Sequence, residues 1–183
     1  MNTGTQGRAR ARACANIALA KYWGKSDETL NLPAVPSVSV TLDALVTETV
    51  VERDPSLTSD HVTIDDVVRE GSEARKVTAL LDLLRLRAGV TGYARVVSHN
   101  RFPTASGLAS SASGFAALTA AAARAYGADL PLEALDELSY RLVVGILRGK
   151  EAGRVHVAQQ CASCLVATQI EQHGLHARGE LGG

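Results

Sequence analysis

The sequence predicts an α+β domain, and three observations carry that prediction. Apolar and polar residues alternate with period 2 over 37–42 and 46–52, which marks strands. A stripe of period 3.6 over 73–88 and an Ala-rich run from Ser110 mark helices. Strands and helices are mixed without the regular βαβ alternation of a parallel α/β fold.

Taken in order, residues 1–12 read as a flexible tail with Arg8, Arg10 and Arg12 in solvent. Ala13 to Leu19 reads as a buried strand entering the segment Lys21–Lys25. Asp27 to Pro36, with two prolines and Asn31, reads as a loop. Ser37–Leu42 and Val46–Glu52 read as paired strands, with His61–Ile64 a third. Glu73–Ala88 is expected to be helical, with Val77, Leu80, Leu81, Leu84 and Ala88 on one stripe and Gly89 as its stop. Tyr93–Ser98 returns to strand. Ser110–Tyr126 is a second helix ending before Gly127, and Leu132 to about Leu142 a third, with Pro131 well placed at its start. There is no internal repeat and no long linker.

The bulk properties narrow the function classes. At 183 residues, 46% hydrophobic and 21% charged, the chain suits one soluble globular domain. A net charge of zero gives no reason to expect nucleic acid or an anionic membrane as partner. No apolar run is long enough to span a bilayer, and the N-terminus lacks the apolar core of a secretory signal, so a cytoplasmic location is expected. Three cysteines make no disulfide framework. Cys161 and Cys164, followed by His173 and His176, have the ligand types of a tetrahedral zinc site, but their gap is shorter than in the usual finger. They are read as incidental, with a non-catalytic zinc-binding module as the alternative.

Two segments carry chemistry. From Ser98 to Leu118 a Gly/Ser-rich loop runs straight into the Ala-rich helix. A helix N-terminus holds unpaired N–H groups and about half a positive charge, so it attracts phosphate oxygens. Small residues let backbone approach an anion, and the hydroxyls of Ser106, Ser110, Ser111 and Ser113 can donate to it. The usual phosphate loop is excluded, because no Lys follows the glycines. By itself this segment is equally a Ser/Gly cap on a buried helix. The second segment is Lys21-Tyr22-Trp23-Gly24-Lys25 followed by Asn31-Leu32-Pro33. Alone, its lysines would be surface residues and Tyr22-Trp23 a packing pair.

Together the two segments resemble the diphosphomevalonate decarboxylases, of the superfamily of galactokinase, homoserine kinase, mevalonate kinase and phosphomevalonate kinase. Pro103 and Gly107-Leu108-Ala109-Ser110-Ser111-Ala112 match the superfamily broadly, while Lys21–Lys25 with Asn31–Pro33 match the decarboxylase branch. The resemblance implies the superfamily's N-terminal domain, a ribosomal protein S5 domain 2-like fold with a mixed sheet backed by helices and the phosphate loop at a helix N-terminus. It implies ATP-dependent decarboxylation of mevalonate 5-diphosphate to isopentenyl diphosphate, with ATP as co-substrate, Mg2+ or a similar divalent ion, and a homodimer. Ser106, Gly107, Leu108, Ala109, Ser110, Ser111 and Ser113 would hold ATP. Tyr22, Trp23, Gly24 and Lys25 would hold the organic substrate, Lys25 countering its charge. Arg75 matches a family arginine that reaches the diphosphate. His99 and Asn100 are read as capping the strand end. A related small-molecule kinase, of phosphomevalonate kinase or mevalonate 3-kinase type, is the alternative within enzymes, and such kinases generally lack the Lys21–Lys25 form.

The match ends at Leu138-Ser139. Residues 13–139 are assigned to the ATP- and substrate-binding domain and 140–183 to a divergent tail. The family's second Gly/Ser motif and its C-terminal domain, which carries the expected catalytic Asp, have no counterpart here, so no catalytic residue is assigned. One event accounts for both losses. Arg outnumbers Lys 15 to 4, as in a G+C-rich gene. With G+C-rich codons, Gly145–Ala152 read one base later yields Gly-Ser-Ser-Ala-Ala-Arg-Arg, close to the missing motif. A frame slip near Ser139 would also make the Cys161/His173 pattern accidental.

Overall fold

The computed structural model describes residues 7–20, 25–27, 32–33, 38–103, 110–143 and 169–172. Its elements in chain order are β1 (Arg8–Ala20), β2 (Lys25–Asp27), β3 (Leu32–Pro33), β4 (Val38–Arg53), β5 (His61–Ile64), β6 (Val67–Val68), α1 (Gly71–Ala88), β7 (Ala94–Asn100), α2 (Ser110–Tyr126), α3 (Leu132–Val143) and β8 (Gln169–Gln172). Among the described residues, six strands form one mixed sheet in the order β6-β5-β7-β4-β1-β8. Only β5 and β7 run parallel, joined through α1; the other neighbours are antiparallel. The expected α+β class and three helices hold.

One face of the sheet is buried by a simple rule. Ala9, Ala11, Ala13 and Ala15 of β1, Thr47, Thr49 and Val51 of β4, and Ala94, Val96 and Ser98 of β7 are buried, at the period-2 spacing that puts them on one side. Against them lies α2, buried almost all round, with Ala116, Ala117, Ala120 and Ala121 at or near zero exposure. Alanine on both surfaces keeps the layers close. Leu80, Leu81 and Leu84 of α1 complete the core, each fully buried and each worth roughly 1.5–3 kcal/mol of transfer free energy. Gly89 and Gly127 end α1 and α2 in the left-handed conformation, φ 64° and 71°, where an L side chain would be strained.

Three expectations need correction, and one pairing is added. The strand β1 begins at Arg8, so Arg8–Ala11 are no tail: Arg10 and Arg12 both pair with Glu48 on β4. The segments 37–42 and 46–52 do not pair with each other. They are one strand, β4, and both pair with β1, whose partner shifts from Val46 at Cys14 to Leu42 at Ala15. That bulge absorbs 43–45, which is why the alternation breaks there. Within the expected loop Asp27–Pro36, β2 and β3 form a two-stranded pair, Lys25 opposite Pro33. Finally, Gln169–Gln172 in the divergent tail pairs with Ala9–Arg12 of β1.

Candidate phosphate-binding cleft

The parallel pair sends the carboxyl ends of β5 and β7 to the same end of the sheet, the customary place for a ligand in sheets with parallel strands. There a cleft of about 310 Å³ opens between these strands, β4 and the N-terminal halves of α1 and α2. Its walls are mostly apolar, with Val62, Ile64, Val77, Val96, Phe115 and Leu118. The polar groups lining it are Thr49, Ser98, Asn100, Ser110 and Ser111, the cations Arg69 and Lys76, and the carboxylate of Glu73. An apolar pocket with a few placed donors is the ordinary form of a small-molecule site.

The first turn of α2 supplies the anion chemistry. It contains no acidic residue, so nothing there opposes the positive end of the helix dipole. Ser111 is exposed and Ser110 half-buried, both on the cleft, with Gly114 one turn further on. A Cβ added at Gly114 would meet nothing within 4 Å, so that wall has room to spare. Ser113 is different: it is fully buried, donates to the carbonyl of Ser110 at 3.2 Å and lies 2.8 Å from the Thr47 hydroxyl. The expectation of an ATP contact at Ser113 is corrected; its hydroxyl already holds the helix to the sheet.

Two cations lie close together on α1, and they face different ways. Lys76 lines the cleft, and Arg75 does not. Arg75 precedes the buried Val77 by two residues, which places it ~200° around the helix and into solvent. Arg69, just before α1, also lines the cleft; it donates to the Ile64 carbonyl at 3.3 Å and pairs with Glu73 at 3.5 Å. The periodicity that found the stripe Val77, Leu80, Leu81 and Leu84 already contained this signal, since positions 73 and 76 fall beside it.

Behind the cleft, buried hydroxyls are paired off. Thr49 and Ser98 lie 2.9 Å apart. The Thr47 hydroxyl donates to Asn100 Oδ1 at 2.7 Å, so Asn100 binds within the sheet and does more than cap a strand end. Tyr22, Trp23, Gly24, Ser106, Gly107, Leu108 and Ala109 lie outside the described residues, as do Cys161, Cys164, His173 and His176; Lys25 is described only as the first residue of β2. Among the described residues no group of three His, Cys, Asp or Glu could hold a metal ion. The polar groups on the cleft are hydroxyls, an amide, an ammonium, a guanidinium and the single carboxylate of Glu73, which is paired with Arg69; the set suits an anion.

Residues 13–143 match the family described as the diphosphomevalonate decarboxylase-like N-terminal domain. The chain is 41% identical over 143 residues to the diphosphomevalonate decarboxylase of Candida albicans, covering 72% of this chain and 39% of that protein. With the Saccharomyces cerevisiae protein of the same name it shares 40% over 131 residues, 64% of this chain and 33% of that one. The chain thus spans well under half the length of these relatives. Among solved structures, the mevalonate diphosphate decarboxylase from Staphylococcus aureus superimposes with a TM-score of 0.64 at 44% identity, covering 76% of this chain and 42% of that one. A structure of MDDEF in complex with MVAPP, AMPPCP and magnesium gives 0.62 at 43%, covering 74% and 42%.

Proposed function

This chain belongs to the diphosphomevalonate decarboxylase-like family through its N-terminal domain, and from that premise we propose that it binds the phosphates of ATP at the N-terminus of α2. The observation that carries the reading is the acid-free first turn of α2, opening with Ser110 and Ser111 into a cleft that also holds Lys76. Ser106, Gly107, Leu108 and Ala109 would complete the wrap with backbone donors. Lys76 is the α1 cation facing the ATP phosphates, and Arg75 is left to the diphosphate of the organic substrate. Magnesium enters as part of the nucleotide complex, where it neutralises phosphate charge; no residue described here is assigned to it.

In the whole protein the reaction is ATP-dependent decarboxylation of mevalonate 5-diphosphate to isopentenyl diphosphate, in the cytoplasm. In this chain Tyr22, Trp23, Gly24 and Lys25 are proposed to hold the organic substrate, with the Lys25 ammonium countering its charge. The chain's part is to bind and orient two polyanions, which is most of what phosphoryl transfer asks of a protein. Among the described residues, no helix is long and apolar enough to cross a membrane.

The test is an ATP titration of the chain with magnesium present. A bulky Leu at Ser111 would deny the phosphates their close approach. Ser111→Leu should weaken binding at least roughly tenfold, about 1.4 kcal/mol. Unchanged affinity in a folded variant would return the loop to the role of a structural cap.

A further inference from the structure

The hydroxyl of Thr47, the amide of Asn100 and the carboxylate of Asp65 stand in line behind the cleft, and none of them is explained by packing. Thr47 and Ser113 are fully buried at an interface made mostly of Ala and Val, where a hydroxyl costs free energy unless it is bonded. The bonds are all present. Asp65 accepts from the Asn100 backbone N–H at 2.8 Å and from Asn100 Nδ2 at 3.1 Å. With Nδ2 committed to the carboxylate, Asn100 Oδ1 is left to accept from Thr47, at 2.7 Å. Thr47 has then spent its one proton, so in the 2.8 Å contact Ser113 is the donor, its single proton shared between Thr47 and the Ser110 carbonyl at 3.2 Å. Donors therefore point one way, from α2 through β4 and β7 to a carboxylate.

Geometry gives this chain its significance. Asn100 is the last residue of β7 and Ser113 sits in the first turn of α2, so the network ties together the two ends of the segment 101–109. Its far end is anchored by a strained turn. Asp65 and Asp66 connect β5 to β6 with both φ angles positive, 50° and 63°, and the Asp65 N–H donates to the Ser98 carbonyl at 2.9 Å. Two consecutive non-glycine residues in the left-handed region cost energy that the surroundings must supply. We infer that Asp65, Asn100, Thr47 and Ser113 are a positioning network that fixes the first turn of α2 against the end of β7, so that its N–H groups stand at the right spacing for phosphate. This rests on the nucleotide reading above.

The adjacent residues Asp65 and Asp66 provide a matched pair of tests. Asparagine is at home in the left-handed region, so Asp65→Asn keeps the turn, yet it turns an NH2 towards one of the two Asn100 donors. Asp66→Asn makes the same charge change in the same turn. In titrations with magnesium-ATP, Asp65→Asn should weaken binding roughly tenfold and Asp66→Asn by less than about twofold. As a second pair, Thr47→Val should lose affinity and Thr47→Ser, which restores the hydroxyl, should regain it. Equal affinities for the Asp65 and Asp66 variants, or no recovery in Thr47→Ser, would overturn the inference. If the unaltered chain binds no ATP, the nucleotide reading fails and the network is judged by amide hydrogen exchange over 110–113. Faster exchange there in Asp65→Asn than in Asp66→Asn would still support it, and equal exchange would overturn it.

Discussion

At the C-terminal ends of α1 and α2, Arg85 is enclosed; at their N-terminal ends, Lys76 and the first turn of α2 face open space. The Arg85 guanidinium pairs with Asp60, whose side chain is fully buried, and with Asp82, and donates to the Tyr126 hydroxyl at 3.2 Å. The Tyr93 and Tyr126 rings lie 5.5 and 5.6 Å from it. Burial disfavours its charged form, but the bonds to Asp60 and Tyr126 more than offset this and hold its pKa above the ordinary value. Asp60 also accepts from the Ala94 N–H at 2.9 Å, so this cluster joins the chain before β5, α1, β7 and α2. Arg85, Asp60 and Tyr126 are all buried here, with Asp82 and Tyr93 at the rim. At the other end Lys76 and the hydroxyls of Ser110 and Ser111 line a cleft. Both regions lie on the same two helices. The difference teaches that a buried, mutually bonded charge marks a structural lock, and that donors left facing a cleft mark a binding site.

The largest effect should come from breaking the lock. Arg85→Ala would leave Asp60 as an uncompensated buried carboxylate, at a cost of about 3–5 kcal/mol in urea denaturation. The ATP affinity of the folded fraction should not move, whereas Ser111→Leu should do the reverse: keep the stability and lose the nucleotide. A stable Arg85→Ala chain, or one whose ATP affinity fell with its stability, would erase the distinction between the two ends.

A smaller effect sharpens it. Asp136 on α3 is partly buried, and its Oδ1 has no hydrogen-bond partner among the described residues. Burial alone pushes its pKa from 3.8 up to about 6. Between those values the folded state holds the proton more often than the unfolded state, so stability should fall as pH climbs from 3.8 towards 6 and level off above. Asp136→Asn should flatten that slope and raise stability at pH 7, by on the order of 1 kcal/mol after solvent screening. No change in the slope would mean that the carboxyl is better solvated or bonded than its place in the fold indicates.

Much of this fold could be read from the sequence where the apolar pattern is strong. The stripe Val77, Leu80, Leu81 and Leu84 located α1, and Gly89 and Gly127 marked the ends of α1 and α2, because both glycines meet a backbone requirement. The start of β1 was missed even though Arg8 to Ala13 alternates perfectly. Its inward residues are alanines, whose weak apolar signal means little until the matching Ala surface of α2 is known. The β4 bulge was read as a gap between two strands, since three residues out of step look the same as a turn. In the cleft, the loop motif pointed to Ser110 and Ser111. Lys76, Thr49, Ser98 and Asn100 come from three separate elements and share no local motif; only the folding of β4, β7 and α1 around one end of the sheet brings them together.

The central claim is that nucleotide binds at the open end of the two helices, and amide hydrogen exchange on the chain with and without magnesium-ATP tests it most directly. ATP should slow exchange in the first turn of α2, residues 110–114, and around Lys76, while amides near Arg85, Ala94 and Tyr126 exchange as before. Protection centred on the Arg85 end, or no protection over 110–114 at saturating ATP, would contradict it.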